Sequence, residues 1–479
     1  MRHESLNIRR ALLVNPPSGN YRRDDRCQVK VEEQTVAVNF PPIELAYDAA
    51  VLRQNGVECR IGDYPALGQS WPEFERELRE FKPDLLLVSA TTGTIEGDLQ
   101  AMRLARELCP DIVNVGRGEY LTVNCERILP HHPELDLVLL GEPEMTLFAL
   151  TKGQPVTEVK GLAWCGAEAG EVRRTPEREL LESLDSLPFP ARDLLANERY
   201  RSPDTHQPIT VVYANRGCPS KCIFCPAGTI SNYRVRFRDP AKVVEEIREC
   251  VERHGVREFL FHGDTFTINK KWTLELCDRL IEAQLPVRWG CNSRVDTICA
   301  ERAQRMRQAG CWVVAFGLET GSQEIMDKMK KQAKVDRAPQ AVRICKEAGL
   351  CVHGFFVVGM PWDTRETIEQ TYRFARSLQL DFFDFNIATP LPGTELYDIV
   401  QREGLMASEL NTDVGYHKAA VRTFTLSADE LSRWRKRALL KMSLNPGYIF
   451  RTLNRARREG TLSNYLQAGI KRLKNLLWA

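Results

Sequence analysis

No stretch of the 479-residue sequence offers the run of about 18 apolar residues that a bilayer-crossing helix needs. The first residues, MRHESLNIRRALLVNPP, lack the longer apolar core and small-residue cleavage site of a secretion signal, and their short ALLV run reads as a strand. These two absences predict a cytoplasmic protein. There is no internal repeat and no low-complexity segment, and 43% hydrophobic with 27% charged residues is the composition of a folded globular chain. Net charge is small, +2, but unevenly placed: from Arg433 to Ala479 twelve Lys/Arg stand against one acid, Glu459, so the tail carries +11 and the rest −9. A general nucleic-acid binder lines its main surface with basic residues, so no nucleic-acid partner is expected. Histidine is also scarce, with none between His3 and His131.

At roughly 150 residues per domain the length predicts about three units. Across residues 10–150 short apolar runs (RALLVNPP, VECRIGDY, DLLLVSATTG, DIVNVGRGE, LDLVLLGEPE) alternate with helical patterns, which predicts an α/β domain with a doubly wound parallel sheet. Its loops at Asn15–Gly19, Ser89–Gly93, Gly116–Glu119 and Gly141–Glu144 follow strand C-termini, where such sheets bind ligands. Residues 151–203, with a hairpin at GLAWCGAEAGEVRRT and the Pro-punctuated LDSLPFPARDLL, read as a connector. From about Thr210 six further β/α units predict a partial (β/α)6 TIM-like barrel over 204–435, followed by a basic helical tail at 436–479. Trp272, Trp289, Trp362 and Tyr372 are expected to pack in its core.

The first barrel strand runs into RGCPSKCIFCP, with Cys218, Cys222 and Cys225 inside eight residues. A structural zinc site wants four closed ligands, and although Cys250, Cys277 and Cys291 are available, none forms a second close pair. Inert buried thiols fit poorly with the flanking Gly217, Pro219 and Pro226. An iron–sulfur cluster suits the thiolates and, held by three, keeps one iron open.

The C-x₃-C-x₂-C spacing with Phe224 before the last cysteine resembles the signature of the radical S-adenosylmethionine (radical SAM) family. The resemblance implies a 4Fe–4S cluster on Cys218, Cys222 and Cys225 whose fourth iron is chelated by SAM. FLFHGDTFTINKKWTLELC resembles the family's second-strand region and assigns the SAM amino group to Gly263 and Asp264, although Asp264 also suits a turn. Glu319, closing GLETGSQEIMDKM, and Arg294, closing the third strand, are the further SAM candidates with Phe224; Arg294 suits a structural role equally well.

Residues 10–150 resemble the cobalamin-binding domain that precedes the barrel in a large subgroup of these enzymes, through PPIELAYDAAVLRQNG, DLLLVSATTG and LVLLGEPEMT. The implied cobalamin contacts are Ser89, Thr91, Gly116, Gly118 and Glu142. The D-x-H-x-x-G loop that ligates cobalt in many such domains is absent, its place taken by NPPSGNYRRDD, so either cobalamin binds without a domain histidine or the sheet has lost it. The two cofactors imply hydrogen abstraction by a 5′-deoxyadenosyl radical and methyl donation from methylcobalamin to carbon or phosphorus. Oxidative cyclisation or rearrangement of a porphyrin- or lipid-like substrate is the other enzymatic reading, since the barrel also resembles the anaerobic porphyrin-ring cyclase. A non-enzymatic cobalamin or redox sensor is the third. No catalytic side chain is singled out. The expected partners are a small-molecule or lipid substrate and an electron donor such as flavodoxin or ferredoxin. In SNYLQAGIKRLKNLLWA, Leu466, Ile470, Leu473 and Leu477 recur at helical spacing among Lys471, Arg472 and Lys474, with Trp478 at the end. That pattern fits peripheral membrane contact or a helix docked on the barrel.

Overall fold

The computed structural model describes residues 5–23, 30–33, 37–168, 170–408 and 418–478. The chain divides into two compact units, one taking in residues 39–200 with the N-terminal stretch, the other running from Arg201 through the C-terminal helices.

The first unit is built on β1 (Arg10–Asn15), β2 (Glu58–Asp63), β3 (Leu85–Ser89), β4 (Val113–Arg117) and β5 (Leu137–Leu139), all parallel, continued by the antiparallel β6 (Leu162–Cys165) and β7 (Val172–Arg174). Their order is β2-β1-β3-β4-β5-β6-β7. Strand side chains alternate between faces, and at the centre of the sheet both faces are covered, so β1 and β3 are apolar runs, whereas the edge strand β2 alternates buried and exposed residues. Leu12, Val14, Leu86 and Val88 pack on one side with Phe74 and Leu78 of the helix Trp71–Phe81, whose start is closed by a Ser70/Glu73 capping box. Ala11, Leu13, Leu85 and Leu87 pack on the other with Leu45 and Leu52 of Ile43–Gln54. The connection reverses direction between β1 and β3, the switch point at which open α/β sheets bind ligands beyond their strand C-termini.

The segment expected as a connector, 151–203, is largely part of this unit. Buried Leu162 and Ala163 let the hairpin extend the sheet, and the Pro-rich stretch folds back through Ala191 N to Ala46 O (2.9 Å) and Tyr200 Oη to Asp63 Oδ2 (2.8 Å). Proline spacing resembles a linker locally; the distant partners that bind it are not visible in the segment itself.

In the second unit β8 (Ile209–Tyr213) is followed by a two-residue antiparallel ribbon, β9 (Asn215–Arg216) with β10 (Arg236–Phe237), and then β11 (Glu258–His262), β12 (Arg288–Ser293), β13 (Cys311–Glu319), β14 (Cys351–Val358) and β15 (Phe382–Ile387). Six strands form one parallel sheet in the order β15-β14-β13-β12-β11-β8, the open barrel expected. Trp272 and Trp289 lie in its core, with Tyr372 packed against it. The helix Ala428–Ser443 also belongs here: Leu431, Ala438, Leu439 and Met442 are buried, and Trp434 stacks edge-on to Phe385 at 5.6 Å. The expected boundary at 435/436 therefore cuts a helix whose single apolar face serves one core, and the tail proper begins at Pro446.

The tail helices Pro446–Arg458 and Leu462–Trp478 dock at the N-terminal ends of the strands, away from the cysteine loop. Arg455 pairs with Asp381 (2.8 Å) and lies over the Phe382 ring, Asn464 Nδ2 donates to Asp204 O (2.7 Å), and Arg472 lies 4.7 Å from the Phe383 ring centre. Leu462, Leu466 and Ile470 point away from this contact and are exposed. The side chains of Lys471, Leu473, Lys474, Leu477 and Trp478 lie outside the description. Among the described residues no helix is long and apolar enough to cross a membrane.

Candidate functional site

The cysteine loop begins where β8 and Asn215–Arg216 end, at the C-terminal edge of the barrel. Gly217 takes φ 94°, and a Cβ there would lie 1.9 Å from the Arg234 carbonyl oxygen, so only glycine enters the loop at this point. Its N–H donates to Asp264 Oδ2 (2.8 Å), and Cys218 N–H donates to the buried Ser231 Oγ (3.3 Å). The far side is tied by Ile223, whose N–H donates to Met329 O (3.1 Å) and whose carbonyl accepts Leu396 N–H (2.8 Å). Phe224 packs beside it against an apolar group containing Met360 and Leu396.

Cys218, Cys222 and Cys225 are all partly exposed, whereas Cys250, Cys277 and Cys291, the possible fourth ligands of a zinc site, are buried in the strand–helix core. Burial pushes the Cys222 thiol up; Lys331 and Arg294 oppose this, while Glu319 and Cys218 add to it. These groups therefore share one electrostatic neighbourhood. Among the described residues no three His, Cys, Asp or Glu side chains converge on a single metal ion. A cluster spreads its thiolates over separate irons, which is the arrangement a loop of this length suits.

Beside the loop, Gly263 leaves room for Asn215, whose Oδ1 would lie 2.1 Å from an added Cβ. Asn215 is 1% exposed, and among the described residues its amide oxygen and nitrogen have no hydrogen-bond partner. Such a group is costly unless something satisfies it, and this one stands in the short strand that leads into the cysteine loop. Asn215 was missed at the sequence level, where an Asn before RGC carries no signal. Arg294 is fully engaged: it grips Asp296 (2.8 Å and 3.0 Å), Ser220 Oγ (3.1 Å) and the Lys331 carbonyl (3.1 Å), stitching the third strand to the cysteine loop. Glu319 closes β13 in left-handed backbone, φ 57°, buried and ion-paired to Lys331. Thus Gly263, Asp264, Arg294 and Glu319, separated in sequence, are brought near the cysteine loop.

In the first unit, Ser89, Thr91 and Gly118 meet at the strand ends. A Cβ on Gly118 (φ 111°) would lie 2.4 Å from Ala90 O, so the two loops approach backbone to backbone. Thr91 Oγ1 and Thr94 Oγ1 are 2.9 Å apart, and Thr94 donates to Asp98 Oδ2 (2.6 Å). Asp98 is also paired with Arg23 (2.9 Å), which reaches the Ser89 carbonyl; burial pushes the Asp98 carboxyl up and Arg23 opposes it. Arg23 and Asp98 escaped the sequence reading; an acid on the apolar face of the helix Ile95–Leu108 was the available signal. Gly116 faces the opposite way, toward Leu121 and Leu135, where it admits helix packing. Glu142 is half-buried in the loop after β5. His131 and His132 precede β5, away from the ligand edge, and the end of NPPSGNYRRDD at Asp24–Asp25 lies outside the described residues.

Two family models match the chain in this order: the B12 binding domain over residues 31–151 and the Radical SAM superfamily over residues 212–375. The chain belongs to the radical SAM enzymes that carry a B12-binding domain. Its cofactors are a 4Fe–4S cluster, SAM and cobalamin. An uncharacterized methyltransferase of Pyrococcus horikoshii is 28% identical over 94% of this chain and 95% of its own length. An anaerobic magnesium-protoporphyrin IX monomethyl ester cyclase of Rubrivivax gelatinosus is 30% identical over 76% of this chain and 66% of its own. The solved radical SAM methyltransferase TsrM of Kitasatospora setae shares the fold, with TM-score 0.67 at 18% identity over 90% of this chain and 83% of that one.

Proposed function

We propose that this radical SAM enzyme methylates an unactivated carbon, or a phosphorus centre, of a small-molecule or lipid substrate. The observation carrying the reading is the near end-to-end match to a methyltransferase, which takes in both units, whereas the cyclase match leaves a third of that protein uncovered. When bound, the cluster and SAM supply a 5′-deoxyadenosyl radical and cobalamin supplies a methyl group. The chain's own part is to place them. Cys218, Cys222 and Cys225 would hold the cluster, with Phe224, Gly263, Asp264, Arg294 and Glu319 around SAM; Asp264 and Arg294 act by bracing the loop. Ser89, Thr91, Gly116, Gly118 and Glu142 would lie around cobalamin, with Gly118 permitting close approach, Gly116 serving packing, and no histidine assigned to cobalt.

The substrate would lie along the inner wall of β14 and β15. There His353, Phe355, Val357, Asp384 and Asn386 alternate with fully buried residues and stay partly exposed. His353 Nε2 and Asp384 Oδ2 are 2.8 Å apart beside the Phe355 ring, a polar pair on an otherwise aromatic and aliphatic wall. A flavodoxin or ferredoxin would supply the electron. Peripheral contact with an anionic bilayer is the further partner we propose, supported by the +11 tail and by exposed Phe450, Leu462, Leu466 and Ile470.

Anaerobic incubation with candidate substrates and methyl-labelled SAM tests the reaction. Label in the product supports methylation, oxidation without label supports cyclisation, and absence of 5′-deoxyadenosine with every substrate supports the sensor. Sedimentation with anionic liposomes, compared between the full chain and a version truncated after Pro446 at low and high salt, tests the tail; equal binding by both, or by neither, removes it.

A further inference from the structure

One buried charge near the thiolates has no role so far. The segment after the helix Gln323–Lys328 takes left-handed backbone at Lys330 (φ 54°) and Gln332 (φ 56°), a conformation unfavourable for residues with side chains. It is held from two sides. Met329 O accepts the Ile223 N–H at 3.1 Å, and the carbonyls of Lys331 and Gln332 accept Arg294 Nη1 and Nη2 at 3.1 Å and 3.4 Å. The consequence is that Lys331 turns inward, 8% exposed, with its ammonium bonded to Glu319, which is itself left-handed. Gly317 makes the room: a Cβ there would lie 2.6 Å from Lys331 Nζ and 2.4 Å from Glu319 Oε1. Burial alone would push the Lys331 ammonium down, but Glu319, together with the nearby Cys222, outweighs it and holds the charge. A buried ion pair contributes little or nothing to stability against an apolar replacement. Three strained backbones and a glycine that makes room for one such pair therefore point to something other than folding.

We propose that Lys331 is a positioning residue for the cluster: its ammonium fixes the Glu319 carboxylate, and its charge raises the reduction potential of the cluster held by Cys218, Cys222 and Cys225. The proposal rests on the cluster assignment and not on the substrate or the methyl transfer. Reduction adds one negative charge to the cluster, so a nearby cation in a poorly solvated site favours the reduced form and a nearby anion opposes it. Lys331 and Glu319 thus act with opposite sign.

The test is an anaerobic redox titration of the reconstituted full-length enzyme, followed by electron paramagnetic resonance of the reduced cluster, with iron and sulfide measured on each sample. Lys331→Met is expected to move the midpoint to more negative values and Glu319→Gln to less negative values; Lys331→Arg should stay near the wild type. If Lys331→Met does not load iron, adding it to the Glu319→Gln background leaves no unpaired buried charge and isolates the same effect. The double variant is then expected to be more negative than Glu319→Gln alone. Unchanged potentials in fully loaded variants, or shifts of the same sign from both single changes, overturn the proposal. Failure of the wild type to take up iron would instead remove the cluster assignment beneath it.

Discussion

Replacing Gly217 by Ala is the smallest change that should disable the cluster while sparing the barrel. The new Cβ would start 1.9 Å from the Arg234 carbonyl oxygen, on a backbone with φ 94°. A non-glycine residue in that region costs about 1–3 kcal/mol. The obstacle is main chain in the segment leading to β10, so either the loop or that segment must give way by about 1 Å, more than the roughly 0.5 Å tolerance of a preorganised site. The cheaper response is for the loop to move, which lengthens the Gly217 N–H bond to Asp264 and displaces Cys218. If about 2 kcal/mol of distortion must be reversed to seat the cluster, its retention falls about 30-fold. The assay is iron and sulfide per chain after anaerobic reconstitution and desalting, with the unfolding temperature and 5′-deoxyadenosine formation measured on the same samples. Iron should be largely lost with a folded barrel. Gly263→Ala is the comparison, expected to be milder because its added methyl meets the Asn215 side chain, which can rotate, and not backbone. Wild-type iron content in Gly217→Ala would refute the argument.

Changing Cys218, Cys222 and Cys225 together to Ala should remove most iron and sulfide and abolish 5′-deoxyadenosine; an intact cluster in the triple variant defeats the ligand assignment. In the Co(II) state, bound cobalamin should show no nitrogen hyperfine structure from an axial imidazole, because no described histidine lies at the ligand edge of the first sheet, and its appearance would require another ligand. Asp363 offers a pH signature. Burial pushes its carboxyl up to about 6, against hydrogen bonds from Thr367, Met360 and Gly359. Between about pH 4 and 6 the folded chain keeps a proton that the unfolded chain has lost, so this group's contribution to stability falls as pH rises, by up to about 3 kcal/mol, and then levels off. Denaturant titrations of wild type and Asp363→Asn should therefore differ by an amount that varies across that window; a constant difference would show that the carboxyl titrates normally.

The six barrel strands and five parallel strands of the first unit were legible in the sequence because their buried faces carry short apolar runs, and because glycine and proline punctuate their ends. The three cysteines stood out because they fall within eight residues of one loop. Less could be read where partners are distant. The hairpin at Leu162–Arg174 looked like part of a connector, since nothing within it shows that β5 accepts it as a neighbour. The helix Ala428–Ser443 was divided by the expected boundary, since an apolar stripe does not name the strand it covers. Nor did the sequence show that the missing Cβ of Gly116 makes room for Leu121 and Leu135.

By itself the sequence determined the order of the units, the loop of three closely spaced cysteines and the lack of a histidine in the first sheet's candidate loops, all properties of residues close together in the chain or of their absence. Only the tertiary structure decided the company that loop keeps. Arg294 is committed to Asp296 and Ser220, Lys331 is buried on Glu319, and Asn215 has no partner for its amide among the described residues; in the first unit, Arg23 lies on Asp98. Each of these follows from strand ends brought together across many residues, and the desolvation that gives such charges and amides their meaning exists only once the chain has closed around them.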